Sequence, residues 1–184
     1  MKKSLCYLLA ALLLSGCYYK TDSPRGSWAK GADLSWLSEM EHDGMQFYGN
    51  TDRDADRLQN TDCIELLRGM GMNAVRLRVW VNHATGWSNK EDMVALAKRA
   101  AKAGQRVMID IHYSDFFADP NHQTIPAAWQ AYDYPTMLEA VREHTLDVLY
   151  ALKEEGVKPE WVQIGNETPN GMLWPLGKVE SGKR

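Results

Sequence analysis

Cysteine is scarce in this chain of 184 residues: three in all, Cys6, Cys17 and Cys63. That is too few for a disulfide-stapled scaffold or a metal site built from cysteines. Long apolar runs are absent as well. The longest, Leu5 to Leu14, has ten residues, whereas a helix that crosses a bilayer needs ~20. Positive charge is not in excess: 21 Lys and Arg stand against 24 Asp and Glu, for a formal net charge of −3, and no stretch clusters Lys and Arg. The electrostatic footprint of a nucleic-acid binder is therefore missing. Low-complexity segments and convincing sequence repeats are missing too. What is left has the length and composition of one domain with a real core.

The amino terminus stands apart from that domain. Met1-Lys2-Lys3 is a short basic start, and the ten-residue apolar run has the length and flanks of a signal-peptide core. It closes on Leu14-Ser15-Gly16-Cys17, which resembles the lipobox of bacterial lipoproteins. The resemblance implies cleavage before Cys17 and lipid on its sulfur. A plain secretory signal with an incidental cysteine is the alternative. Residues 1–16 are thus expected to be a lipoprotein signal peptide, 17–27 a polar, turn-rich tether, and 28–184 the folded domain. Asp directly after the cysteine would mark inner-membrane retention. Tyr18 stands there instead, so the expected location is the bacterial cell envelope, leaning to the outer membrane, with the lipid as the sole membrane contact. Cys6 leaves with the signal and Cys17 is acylated in this reading, so no intramolecular disulfide can form. Cys63 is expected to be a small core residue on a helix.

From Trp28 onward, strand and helix patterns alternate. "GADLSWL" (31–37) reads as a strand, and "TDCIELLRGMG" (61–71) as a helix with Gly71 just past its end. "NAVRLRVWV" (73–81) is a strong strand. "SNKEDMVALAKRAAKAG" (88–104) opens on a Ser88-x-x-Glu91 capping box, carries Met93, Leu96, Ala97 and Ala100 at helical spacing, and stops at Gly104. "QRVMIDIHYS" (105–114) is a third strand, followed by a long loop rich in Pro and aromatics. "YPTMLEAVREHTLDVLYALKEEG" (134–156) is a helix whose expected buried stripe is Leu138, Val141, Thr145, Val148, Leu149 and Leu152. "EWVQIGNE" (160–167) is the fourth strand. This alternation predicts parallel strands joined by helical crossovers.

Strand side chains alternate between faces, so parity tells which residues share one. Val75, Leu77 and Val79 oppose Arg76, Arg78 and Trp80; Val107, Ile109 and Ile111 oppose Met108, Asp110, His112 and Ser114. In the fourth strand Val162 and Ile164 oppose Gln163, Gly165 and Glu167, and in the first Asp33 and Ser35 oppose Ala32, Leu34 and Trp36. Each strand has one apolar face and one charged or polar face. A doubly wound sheet buries both faces and reads as continuous apolar runs. Here one face can meet helices while the other converges on a polar centre, where Arg76, Arg78, Asp33 and Asp110 can neutralise one another. The predicted class is therefore α/β, a (β/α)₈ TIM barrel of which this chain covers about the first four βα units. A sheet with one solvated face is the alternative, made awkward by the crossover helices.

Barrels of this kind place their chemistry at the C-terminal strand ends. Those ends are Ser35-Trp36, Arg78-Trp80-Asn82, His112-Ser114-Asp115 and Asn166-Glu167, hydrogen-bonding groups interleaved with tryptophan. Loop aromatics Trp87, Trp129, Tyr132 and Trp174 add to them. Flat aromatic surfaces beside donors and acceptors suit a sugar, although any single tryptophan can equally be core filling. Glycoside hydrolysis needs two carboxyl groups, one of them an acid/base whose pKa is raised by a partly apolar cleft. Glu167, read as inward-facing at the mouth with Trp and Met nearby, fits that role.

The segments "KGADLSWL" (30–37), "RLRVWVN" (76–82), "IDIHYSDFFADP" (109–120), "PAAWQ" (126–130) and "EWVQIGNETPNGMLWP" (160–175) resemble glycoside hydrolase family 53, the endo-β-1,4-galactanases of pectic arabinogalactan. The resemblance implies a retaining mechanism with Glu167 as acid/base and Asn166 binding the hydroxyl next to the anomeric carbon. Arg78 and His112 match positions that support the catalytic pair. Arg76 shares that role in this reading, and Asp33, Trp80, Asp115 and Trp129 are site-lining candidates. The family usually carries Trp in the "SDxWADP" loop where this chain has Phe117. The implied partner is a polysaccharide, β-1,4-galactan, with no cofactor. Calcium occurs in some relatives, yet no Ca²⁺ loop is visible here.

The resemblance also places the nucleophile, a second glutamate, at the end of the seventh strand, and only four strands are read in this chain. Asp110 and Asp115 match no nucleophile position. The expectation is the N-terminal half of a galactanase, whose isolated 184-residue product is insoluble, molten or dimeric, and inactive. A surface glycan-binding lipoprotein without catalysis and a nonfunctional fragment are the competing readings.

Overall fold

Where apolar and polar residues alternate, the chain forms strands that bury one face, and where they recur at three and four it forms helices to cover that face. The computed structural model describes residues 19–21, 26–49 and 58–179. The expected signal peptide, Cys17 and most of the tether lie outside them. In chain order the elements are β1 (Gly31–Asp33), α1 (Leu37–His42), β2 (Tyr48–Gly49), β3 (Gln59–Asn60), α2 (Cys63–Gly69), β4 (Ala74–Val79), α3 (Lys90–Lys102), β5 (Arg106–Ile111), α4 (Tyr134–Glu154) and β6 (Trp161–Ile164). A 3₁₀ turn, Ala127–Trp129, sits in the long loop after β5.

Strands β1, β4, β5 and β6 form one parallel sheet in that order, while β2 and β3 make a small antiparallel pair that the sequence did not suggest. Each strand of the main sheet lies beside its predecessor, and the order never reverses. A doubly wound sheet would reverse at its switch point. Sequential winding is how a (β/α)₈ barrel wall is built.

The faces divide as parity requires. Val75, Leu77 and Val79 of β4 and Val107, Ile109 and Ile111 of β5 are buried in one core with Met93, Leu96, Ala97 and Ala100 of α3 and with Val148 and Leu152 of α4. Cys63 is buried on α2 as expected, and burial pushes its thiol above the ordinary range.

Several local expectations need correction. The first strand ends at Asp33, and Leu37 opens a helix rather than closing a strand. The reason is an Asx turn: the Asp33 carboxylate accepts from both the backbone N–H and the hydroxyl of Ser35, which bends the chain. The Ser88/Glu91 capping box does not form. Helix α3 starts one residue later behind Asn89, and the side chain of Asp92 instead accepts from the Ser88 N–H at 2.7 Å. On α4 the inward stripe runs through Met137, Val148 and Leu152, and Leu138 is exposed. Asp62 and Asp133 do cap α2 and α4, each accepting N–H bonds from the first turn.

Candidate functional site

The polar face of the sheet carries its charges in register. In β4 and β5 Arg76 stands beside Met108 and Arg78 beside Asp110, and in β5 and β6 Asp110 stands beside Gln163. Arg76 therefore reaches both ways across the sheet: Nη1 donates to Asp33 at 2.6 Å, and Nη2 donates to Asp110 at 2.5 Å and to the side-chain oxygen of Asn166 at 2.9 Å. Asp110 is fully buried. Its same oxygen meets Nε2 of His112 at 2.9 Å, while Nδ1 of His112 accepts the Ala118 N–H at 3.1 Å. An accepting Nδ1 puts the neutral ring's proton on Nε2, so His112 donates to Asp110. Asn166 Nδ2 donates to the Ala118 carbonyl at 2.7 Å. The hydrogen bonds thus close a ring: Arg76, Asp110, His112, Ala118, Asn166 and back to Arg76.

Asp33 lies at the edge of this ring. Burial works to raise its pKa, but the Ser35 hydroxyl and amide and the Arg76 guanidinium outweigh it and hold the carboxyl below its ordinary range.

Arg78 behaves differently from Arg76. The sequence paired both arginines with acids, yet the Arg78 guanidinium, 5% exposed, bonds no carboxylate. Nε and Nη2 both donate to the Ser88 hydroxyl, at 3.3 and 3.1 Å, and that hydroxyl donates to the Ser35 carbonyl. Three rings close around the cation: Trp36 at 5.1 Å, Trp80 at 4.4 Å and Phe117 at 4.5 Å from its central carbon. These are cation–π distances. Burial pulls the Arg78 pKa down, with Asp33 and Asp110 partly opposing. Phe117, the departure from the family's usual Trp, still supplies the ring face that the cation needs.

Trp80 is buried beneath the mouth, with Phe116 stacked on it at 5.3 Å and His83 at 4.6 Å. Phe116 itself is exposed. A cavity of about 500 Å³ opens here, bounded by Asp115, Phe116, Phe117 and His122 among others. Asp115 borders it, but both of its oxygens are occupied by backbone N–H groups, Asn82 at 3.0 Å and Ala127 at 2.8 Å. Its role is to fasten two loops together. Trp129 is a correction: it is buried in the apolar core against His144, and does not line the site.

Glu167 is the second correction. Strand alternation placed its side chain inward with Gln163, in an apolar cleft. The strand in fact stops at Ile164, and Gly165 (φ 82°) and Glu167 (φ 48°) take left-handed backbone conformations. These two reversals cancel the parity count, and Glu167 stands exposed at the mouth. A side chain on Gly165 would press on Thr168 at 2.9 Å and Met172 at 3.1 Å, so this turn requires glycine twice over. Asn166 beside it is buried, with its oxygen shared between Arg76 and Gln163 and one amide hydrogen spent on Ala118.

The sequence reading gave Ser88, Gln123 and Gln163 no part in the site. Ser88 looked like a helix cap, and the two glutamines carried no spacing signal at all. Among the described residues no group of three or more His, Cys, Asp or Glu could hold a metal ion, and no helix is long and apolar enough to cross a membrane.

With this geometry in view, the comparisons with known proteins are specific. Residues 29–183 match the model of glycosyl hydrolase family 53. The chain is 41% identical over 152 residues to a probable arabinogalactan endo-β-1,4-galactanase A of Aspergillus fumigatus, covering 83% of this chain and 41% of that protein. It is 43% identical over 152 residues to an arabinogalactan endo-β-1,4-galactanase of Thermothelomyces thermophilus, covering 83% of this chain and 44% of that one. A solved fungal β-1,4-galactanase superposes with a TM-score of 0.75 at 41% identity, over 83% of this chain and 44% of its own. The chain thus spans less than half the length of these relatives, and its four-stranded sheet is part of their TIM-barrel fold. It belongs to glycosyl hydrolase family 53.

Proposed function

We propose that this chain forms the acid/base side of an endo-acting, retaining β-1,4-galactanase site, with Glu167 as the general acid and base and the β-1,4-galactan of arabinogalactan as substrate. One observation carries the reading most. In a chain 41–43% identical to galactanases, the Asn166-Glu167 pair follows a barrel strand, and Asn166 is itself a member of the closed ring of hydrogen bonds. The ring fixes Asn166, and Glu167 is left free to reach a glycosidic oxygen. Arg78, caged by three rings, keeps most of its donors unspent at the same mouth. The chemistry uses two carboxyl groups and water, and no cofactor enters.

A retaining mechanism needs a second carboxylate ~5–5.5 Å from the first. Asp33 and Asp110 are tied to Arg76, and Asp115 to two backbone amides. The family resemblance places the nucleophile on a strand other than β1, β4, β5 and β6. A glycan-binding protein without catalysis is the competing reading.

The test grafts residues 29–183 in place of the matching segment of the Thermothelomyces thermophilus galactanase and measures reducing ends released from galactan. The graft is expected to cut. A graft that melts cooperatively and retains galactan without releasing reducing ends would establish the binding reading instead.

We propose, in addition, that the protein is an exported lipoprotein of the cell envelope, acylated at Cys17. An alkyne fatty acid supplied to expressing cells is expected to label the parent chain and not Cys17→Ser, and equal labelling of both would sink the assignment.

A further inference from the structure

The loop after β5 holds a side chain that nothing described so far uses. Gln123 is 3% exposed, although it lies among exposed neighbours, Asn121, His122 and Thr124. A buried amide of this kind is kept only where its hydrogens find acceptors. Its Nε2 has three: the carbonyls of Asn166 at 2.8 Å, Asp119 at 3.0 Å and Glu167 at 3.1 Å. The first and last belong to the dipeptide that ends the site strand.

We infer that Gln123 is a positioning residue for Glu167. It acts through the backbone, never touching the Glu167 carboxyl. Glu167 sits at φ 48°, a conformation an L-residue holds only when its surroundings require it. Gln123 supplies that requirement by drawing the carbonyls on both sides of the Glu167 α-carbon toward a single donor. The loop is anchored in return, since the Trp174 N–H donates to the Gln123 carbonyl at 2.7 Å and Asn166 Nδ2 donates to Ala118. The loop after β5 and the loop after β6 are thereby stitched into one unit. The loop that carries Phe116 and Phe117 then sets where the acid points, so a sugar seated on those rings and the proton it needs share a frame. This inference rests on the proposed role of Glu167.

The deciding measurement is made on the graft with no substrate, so it stands whether or not galactan is cut. Hydrogen exchange of the Gln123 side-chain amide is compared by NMR with that of Gln130, which is exposed on the same loop. Gln123 is expected to exchange at least roughly tenfold more slowly. Gln123→Met, equal in reach but without donors, is expected to move the carbonyl signals of Asn166 and Glu167 and leave those of α3 in place. Equal exchange of the two glutamines, or unmoved carbonyls, overturns the inference. Should Gln123→Met fail to fold, Gln123→Asn keeps a buried amide one methylene short of the carbonyls and is read the same way.

A second readout uses the graft's activity. Gln123→Met is expected to lower kcat on galactan about 100-fold, the size of a misplaced catalytic group, with KM changed little. On a dinitrophenyl galactobioside, whose leaving group departs without a proton, kcat/KM should fall far less than it does on galactan. Equal losses on the two substrates would mark general destabilisation and count against positioning. A graft that cuts neither substrate refutes the galactanase reading, and the exchange measurement still decides the placement of Gln123.

Discussion

In the graft, Glu167→Gln is expected to cut galactan about 10³-fold more slowly than the parent, with binding nearly unchanged. The amide has the shape of the acid and can still donate a hydrogen bond, but it cannot deliver a proton to the departing oxygen. Loss of general acid catalysis costs ~10²–10⁴ in rate. Stability should hardly move, because Glu167 is exposed and no side-chain hydrogen bond among the described residues involves its carboxyl. The variant is therefore a clean probe: a thermal midpoint equal to the parent's, with reducing-end release almost gone. Rates within tenfold of the parent would remove Glu167 from the acid/base role, whatever the family membership. The same variant should keep most of its kcat/KM on a dinitrophenyl galactobioside, since that leaving group needs no acid, while its steady-state turnover falls because Glu167 must also activate the water that breaks the glycosyl-enzyme.

The largest effect on stability is expected at Arg76. From β4 this guanidinium joins Asp33 of β1, Asp110 of β5 and Asn166 just past β6. Arg76→Met would leave the Asp110 carboxylate, 0% exposed and with its other oxygen already unpartnered, facing only His112. Removing one partner of a buried ion pair costs ~3–5 kcal/mol, because the remaining charge is neither solvated nor paired. Arg76 is one-third exposed, which puts the expectation at the lower end, about 3 kcal/mol by urea denaturation. The double variant Arg76→Met/Asp110→Asn should recover part of this, since the uncompensated charge is gone. A single-variant loss under ~0.5 kcal/mol, the size of an ordinary surface change, would show that the ring is not a stabilising unit. Arg76→Lys should not restore the parent, as one ammonium cannot span three acceptors in the plane of a guanidinium.

How much of this was legible beforehand depended on how local each signal was. The two faces of β4 and β5 were readable because alternation is a property of neighbouring residues. The gathering of Arg76, His112 and Asn166 followed from strand order, since parallel strands carry their C-terminal ends to one side. Glu167 stands at the strand end assigned to it, but on backbone that the parity count did not foresee. Parity counting assumes extended backbone, and Gly165 and Glu167 leave it. Trp129 was read as lining a sugar site because tryptophan in a loop suggests one. The 3₁₀ turn instead folds it into the core beside His144, a ring that burial keeps from protonating readily. Ser88 was hidden by resemblance to a helix cap, and only the approach of Arg78 showed what its hydroxyl accepts.

By itself the sequence determined the order of the four strands of the main sheet and the helices α2, α3 and α4 between them, the apolar and polar faces of β4 and β5, and the strand ends at which chemistry collects. All of these depend on residues a few positions apart, and local periodicity is enough to set them. The tertiary structure alone decided which donor meets which acceptor. Arg76 finds an acid 34 residues away and an amide 90 away. Arg78 takes a serine in place of a carboxylate, and Gln123 reaches carbonyls 43 and 44 residues on. Buried polar groups must be satisfied by whatever the packed chain brings within about 3 Å, and that distance is settled only when the strands close side by side.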